Sequence, residues 1–263
     1  PQLLELMNIP WEFLSDDIEH ACGQLMRAEQ YMENDESFFF IVRKGTFAKY
    51  ELTEQINRAP QDKVLLEPHG QAELPKRLEV LEALTDWADD STVLAATTGY
   101  TGRELFEVED RMQNLYMVGS MGCVSSIALG LAIADPSKKV VAIDGDGALL
   151  MRMGALATNA HYAPPNMCHI LIDNGMHEST GGQLTSSEHV AFANVAAACG
   201  YPRAAFLHSI SELAKELAVW ADEPRLTFLH LRTSPGVKPD LGRPSVTPHE
   251  VRMRVQRWLT QSQ

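Results

Sequence analysis

Cysteine is scarce in this chain of 263 residues: Cys22, Cys123, Cys168 and Cys199 lie far apart and form no C-x-x-C pair. That spacing argues against a zinc or redox centre and for reduced thiols in a cytoplasmic protein. The nine histidines include no H-E-x-x-H and no compact cluster with cysteine. No stretch approaches about 18 uncharged apolar residues, so no transmembrane helix is expected. Basic residues are outnumbered, 22 Lys and Arg against 35 Asp and Glu, and the net charge of −13 is relieved by no run of Lys or Arg. Such a chain repels nucleic acid and anionic membrane surfaces alike. The first residues, PQLLELMNIPWEF, lack both an initiator Met and the basic-then-apolar order of a signal peptide. They read as a cut through a longer protein, so a fragment, or a missing half on another polypeptide, is expected.

What is present is globular. Hydrophobic residues make up 45% and charged residues 22%, enough apolar side chain for a real core and too much for a disordered tail. Residues 13–33 have helical spacing, with Ile18, Leu25 and Met26 on one side, and Phe38 to Val42 form a short apolar block of strand length. Residues 1–56 are too few to bury a core independently. Pro60, Pro68, Gly70 and Pro75 mark a linker over 57–75.

From residue 76 to 263 helices and strands alternate. Helices are expected over 76–88, 102–110, 122–134, 147–160, 188–199, 210–222 and from about 247. Strands are expected over 93–96, 115–118, 140–143, 167–172 and 226–231, with a long polar loop over 173–187. Apolar strands without period-two alternation, separated by helices, imply an α/β fold with a doubly wound parallel sheet. Ligands of such sheets bind beyond the carboxyl ends of the strands.

Three segments at those ends carry chemistry. A buried strand runs into Asp144-Gly145-Asp146-Gly147 and a helix starts at once, offering free N–H groups to a phosphate at Gly147 and Ala148. Alone, this Gly/Asp turn is also a common steric solution to a strand-to-helix connection. The next strand ends in Asp173-Asn174-Gly175-Met176, so Asp146 and Asn174 can reach one point. A carboxylate, an amide oxygen and a backbone carbonyl are hard ligands suited to Mg²⁺, which ordinarily keeps phosphate oxygens as further ligands. Thr97-Thr98-Gly99 and Gly119-Ser120-Met121-Gly122 follow two other strands; the first can hold phosphate oxygens or be an ordinary strand end, and Met121 can be a core filler. A dinucleotide fold is the rival reading of Gly145-x-Gly147, but its third glycine is Leu150 here.

The spacing GDG…DN, preceded by TTG and GSMG, resembles the cofactor signature of thiamine-diphosphate enzymes. TTGYTGRELFE, VGSMGCVSSIALGLA and DNGMHESTGGQ are similar to the branch that decarboxylates phosphonopyruvate and sulfopyruvate. IVRKGTF resembles the end of the pyrimidine-binding domain, so residues 1–56 look like its C-terminal remnant and 76–263 like the diphosphate-binding domain. The resemblance implies Mg²⁺ on Asp146, Asn174 and the Met176 carbonyl. It also implies thiamine diphosphate cradled by Gly145, Gly147, Ala148 and the Thr98-Gly99 turn, with Gly119 and Ser120 at its pyrimidine and Met121 wedged beneath its rings. Two departures stand out: Asp173 replaces the first of a usual Asn-Asn pair, and Ala148 has no hydroxyl. No residue matches the activating glutamate, which the resemblance assigns to a pyrimidine domain of a partner subunit or missing half. A homodimer or homotetramer is implied.

For a 2-oxo acid bearing phosphonate or sulfonate, Arg103 and His177 are the candidate contacts, and His177 also the candidate proton donor. Arg103 can equally pair with Glu104 or Glu107. The stretch Glu178–Thr185 reads as a lid or a mobile loop.

Overall fold

Phe39, Phe40 and Ile41 pair in parallel with Trp11, Glu12 and Phe13 in the N-terminal part of the chain. The computed structural model describes residues 1–48 and 73–261, in two units, Pro1–Thr53 and Glu54–Gln263. The first holds α1 (Gln2–Leu6), β1 (Trp11–Phe13), α2 (Ile18–Glu33) and β2 (Phe39–Ile41). Helix α2 begins five residues later than the expected 13, because Asp17 caps it by accepting from His20 N at 2.8 Å and Phe13 is committed to β1. Ala21, Gln24 and Ala28 are its buried face, whereas Ile18, Leu25 and Met26 are exposed. Most of the expected linker, 57–72, and the end of the expected remnant, 49–56, lie outside the described residues.

The second unit alternates helix and strand: α3 (Arg77–Trp87), β3 (Thr92–Ala96), α4 (Tyr100–Val108), β4 (Leu115–Tyr116), α5 (Val124–Ala134) and β5 (Lys139–Gly145). There follow α6 (Asp146–Met151), α7 (Ala155–Tyr162), β6 (Met167–Asp173), the hairpin β7 (Met176–His177) and β8 (Gln183–Leu184), and α8 (Phe192–Cys199). Strand β9 (Arg203–Leu207), α9 (Ile210–Asp222), β10 (Thr227–Arg232) and α10 (Pro248–Gln261) complete the unit. Six strands form one parallel sheet in the order β4-β3-β5-β6-β10-β9.

Alternation along buried strands sends side chains to both faces. Val141 and Ile143 of β5 join Leu81, Leu84, Leu105, Leu213 and Trp220 on one side; Val140 and Ala142 join Leu129, Leu156, Phe192 and Phe228 on the other. Helices α3, α4, α9 and α10 therefore cover one face and α5 to α8 the opposite one. Each such fully buried Leu or Phe contributes roughly 1.5–3 kcal/mol through burial.

Three expectations change. The single helix over 147–160 is two, α6 and α7, broken at Arg152–Gly154. The loop 173–187 contains the hairpin β7–β8. Strand β9, half-buried at the sheet edge, was not expected. No helix among the described residues is long and apolar enough to cross a membrane.

The sheet order locates the ligand crevice. From β3 the chain leaves for the edge strand β4, whereas from β5 it leaves in the other direction for β6. The two connections part between β3 and β5, and a cleft opens outside their carboxyl ends at such a reversal.

Candidate functional site

A cavity lies at that reversal. Its walls come from the ends of three adjacent strands: Thr97 and Thr98 after β3, Gly145 to Ala148 after β5, and Asn174, Met176, His177 and Glu178 after β6, with Met121 from the loop after β4. Asp146, Gly147, Ala148, Asn174, Met176, Met121, Thr98 and His177, distributed over 80 residues of sequence, thus share one space.

Asp146 opens α6 and is buried. Its carboxyl is pushed up to about 6, by burial above all and further by the neighbouring Asp173, against the hydrogen bond it accepts from the Thr185 hydroxyl. A buried acid beside a second buried acid favours a cation at hand. Burial alone would raise Asp173 as well, but the His230 imidazole 2.9 Å from its Oδ2 holds it below the usual range. Asp173 is buried and is not among the residues that line the cavity. Beneath the turn, Asp144 Oδ2 meets His169 Nε2 at 3.3 Å, and Asn159 donates to Tyr201 Oη at 3.0 Å, all fully or largely buried.

Asn174 Oδ1 accepts from Met176 N at 3.2 Å. Thr185 N donates to Gly175 O at 2.9 Å, which makes 175–185 a hydrogen-bonded pair and leaves Met176 opposite Leu184 at a non-bonded position. The Met176 carbonyl is thus turned out of the hairpin ladder. A carboxylate, an amide oxygen and a free carbonyl form a hard-oxygen set that suits Mg²⁺. Among the described residues no three His, Cys, Asp or Glu side chains are grouped to hold a metal, so a cation here depends on this mixed set.

Gly147 lies close under His177: a Cβ there would stand 2.3 Å from His177 Cε1, so the ring would have to swing aside. Gly99, at φ +96°, opens α4, and a Cβ on it would come within 3.1 Å of Ser179 Oγ. Gly119 and Ser120 also have positive φ, +69° and +47°, and are exposed in the loop before α5. Neither lines the cavity.

Arg103 is not brought to the cavity. Its Nε donates to Gly242 O at 2.7 Å and its Nη2 to Leu241 O at 2.8 Å, and it lines a neighbouring cleft with Arg243 and Val118. The arginine in the cavity wall is Arg77, which sequence reasoning missed. Its Nε and Nη2 reach Glu104 at 2.7 and 3.2 Å, and its Nη1 reaches Glu178 Oε2 at 2.6 Å. Burial would lower its pKa, but the hydrogen bonds to Glu104 and Glu178 raise it instead. Those partners lie 27 and 101 residues away along the chain, so no local pattern announces them.

Residues 98–231 match the family model described as thiamine pyrophosphate enzyme, C-terminal TPP binding domain. The chain is 37% identical over 262 residues to phosphonopyruvate decarboxylase of Streptomyces viridochromogenes, covering 98% of this chain and 66% of that protein. It is equally 37% identical to the phosphonopyruvate decarboxylase of Streptomyces hygroscopicus, over 98% of this chain and 65% of the relative. The chain thus spans slightly less than two thirds of the length of these curated relatives. Sulfopyruvate decarboxylase subunit beta of Methanocaldococcus jannaschii is 34% identical over 61% of this chain and 85% of its own. A crystal structure from Mycobacterium smegmatis, provisionally described as a thiamin diphosphate-dependent enzyme, superposes with a TM-score of 0.53. At 22% identity over 67% of this chain and 37% of that one, it speaks for the fold alone.

Proposed function

This chain belongs to the thiamine pyrophosphate enzymes, through their C-terminal cofactor-binding domain, and on that premise we propose that it serves the Mg²⁺-dependent decarboxylation of 3-phosphonopyruvate to phosphonoacetaldehyde and CO₂, a carboxy-lyase step of phosphonate biosynthesis. The observation that carries the reading is the meeting of Asp146, Asn174 and Met176 with the start of α6 at one cavity. Residues 1–56 are proposed as the remnant of a pyrimidine-binding domain, 57–75 as a connection and 76–263 as the diphosphate-binding domain.

When bound, thiamine diphosphate supplies a nucleophilic carbon and an electron sink for the bond to CO₂. Asp146, Asn174 and the Met176 carbonyl hold Mg²⁺, and the N–H groups of Gly147 and Ala148 at the start of α6 take phosphate oxygens. Thr98 and the Gly99 turn close the cradle from the β3 side, and Met121 packs against the cofactor's rings. Gly119 and Ser120, on the loop before α5, contact the pyrimidine. His177, standing over Gly147, is the candidate to hold the proton delivered to product. Arg77 is already committed to Glu104 and Glu178, so it is not a free cation for the substrate's phosphonate. The activating glutamate belongs to a pyrimidine-binding domain, in a homodimer, a homotetramer or a separate polypeptide. The Methanocaldococcus jannaschii relative is itself called a subunit, which supports a partner of this kind.

Sulfopyruvate is the alternative substrate, favoured by the match to that subunit over most of its length. CO₂ release from phosphonopyruvate, sulfopyruvate and pyruvate, measured on the enzyme assembled with its pyrimidine-binding domain and with thiamine diphosphate and Mg²⁺ present, separates the cases. The proposal expects kcat/KM for phosphonopyruvate to exceed the others by tenfold or more. Preference for sulfopyruvate, or turnover only of pyruvate, would overturn the substrate assignment while leaving the cofactor site standing.

A further inference from the structure

An asparagine amide has an oxygen end and an NH₂ end of nearly equal shape, and only the oxygen can bind a hard cation. Which end Asn174 offers is therefore a question its surroundings must decide. Its Nδ2 donates to Glu178 Oε2 at 2.7 Å, opposite the side where Oδ1 accepts from Met176 N. A carboxylate paired with arginine accepts hydrogen bonds and donates none. Turning the amide over would lose the bond and set oxygen against oxygen.

Glu178 is itself held at both oxygens. Arg77 Nη1 lies 2.6 Å from Oε2, and Gly236 N donates to Oε1 at 2.5 Å. Arg77 cannot follow a moving Glu178, because Glu104 grips it through two further hydrogen bonds and Gly236 O accepts from its Nη2 at 3.1 Å. Arg77 and Glu104 are both buried, 5% and 1% exposed. A carboxylate so constrained is a fixed acceptor at the Asn174 amide.

We propose that Glu178 is a positioning residue: held by Arg77 and Gly236, it fixes the Asn174 amide so that oxygen, not NH₂, faces the Mg²⁺ seat shared with Asp146. The inference rests on the metal assignment made above. It differs from a role through charge alone, in which Glu178 would attract Mg²⁺ whatever occupies position 174.

A double-substitution cycle read by calorimetric titration of Mg²⁺ into the chain, with thiamine diphosphate present in excess throughout, distinguishes the two. Glu178→Gln keeps the side-chain length and an acceptor for Gly236 N, but its NH₂ end can meet the Asn174 oxygen, which leaves the weaker bond from Met176 N at 3.2 Å as the one that still orients the amide. Mg²⁺ affinity is expected to fall about tenfold or more, as when other groups that orient metal ligands are removed. Asn174→Asp carries an oxygen at both ends, so adding Glu178→Gln to it is expected to cost no affinity. An equal loss in both backgrounds, or no loss with Asn174 present, would overturn the proposal. Asp146→Ala, titrated alongside, reports on the metal assignment itself: unchanged Mg²⁺ affinity there shows that assignment to be wrong, and the proposal falls with it. Circular dichroism checks folding, and Glu178→Ala replaces the glutamine variant in the same cycle if the latter does not fold.

Discussion

The imidazole of His177 rests directly on the first turn of α6, so close to Gly147 that a Cβ on that glycine would stand 2.3 Å from Cε1 and 2.7 Å from Nδ1. Gly147→Ala must therefore displace the ring. The ring is the far end of a half-buried side chain that can swing aside, so the loss is expected near or below the low end of the roughly 1–3 kcal/mol that overpacking costs in a packed core. Removing the obstacle in Gly147→Ala/His177→Ala is expected to restore most of the loss in urea unfolding. A double variant as unstable as the single one would show that the contact is not its cause.

Arg77 sits between two acids, Glu104 fully buried and Glu178 half-buried in the cavity wall. Arg77→Met leaves Glu104 and Glu178 without their shared cation, and breaking a buried pair by one partner costs about 3–5 kcal/mol. Arg77→Met/Glu104→Met is expected to regain part of that stability, since the 1%-exposed Glu104 carboxylate is then gone. Denaturant midpoints of the two variants and the parent check the order.

Asp146 gives the chain a pH dependence of known sign. Its folded-state pKa, about 6, lies above the ordinary aspartate value. An acid of this kind holds its proton more tightly when folded, so its contribution is most favourable below about pH 4 and declines as pH rises to about 6. The decline amounts to at most roughly 3 kcal/mol. Without Mg²⁺, Asp146→Asn is expected to melt at a higher temperature than the parent at pH 8, with the gap narrowing towards pH 4. A gap that widens on acidification would contradict the burial argument.

Met121 is half-buried in the cavity wall. Met121→Ala is expected to lower kcat by tenfold or more while the affinity for thiamine diphosphate changes by less than threefold, because the side chain shapes the cofactor and does not anchor its diphosphate. Steady-state kinetics and a binding titration on one preparation of the enzyme assembled with its pyrimidine-binding domain test the split.

The strands that carry the site were legible because burial on both faces writes them as short uninterrupted apolar runs, as in Val140 to Ile143 and Met167 to Ile172. The turn residues were legible through their combination, TTG, GSMG, GDG and DN at the ends of successive strands, since a Gly/Asp turn alone is an ordinary steric solution. Strand β9 escaped because RAAFL is half-buried over most of its length at the sheet edge, and alanine signals a helix as readily as a strand. Arg103 reads as a ligand from its place at the start of α4, yet backbone carbonyls of residues 241 and 242 claim it. Arg77 has the reverse history: an unremarkable first residue of a helix becomes part of the cavity only through Glu178 and Gly236, 101 and 159 residues distant. Contacts at that separation leave no trace in spacing or periodicity.

The central claim is that Asp146 and Asn174 hold one Mg²⁺ that secures the diphosphate of the cofactor. Calorimetric titration of thiamine diphosphate into the metal-stripped chain, with and without added Mg²⁺, tests it most directly, with Asp146→Ala measured alongside. Tight binding only when Mg²⁺ is present, weakened by a factor of 100 or more in Asp146→Ala, is the predicted result. Equal affinity in the presence of a chelator, or in the alanine variant, would contradict it.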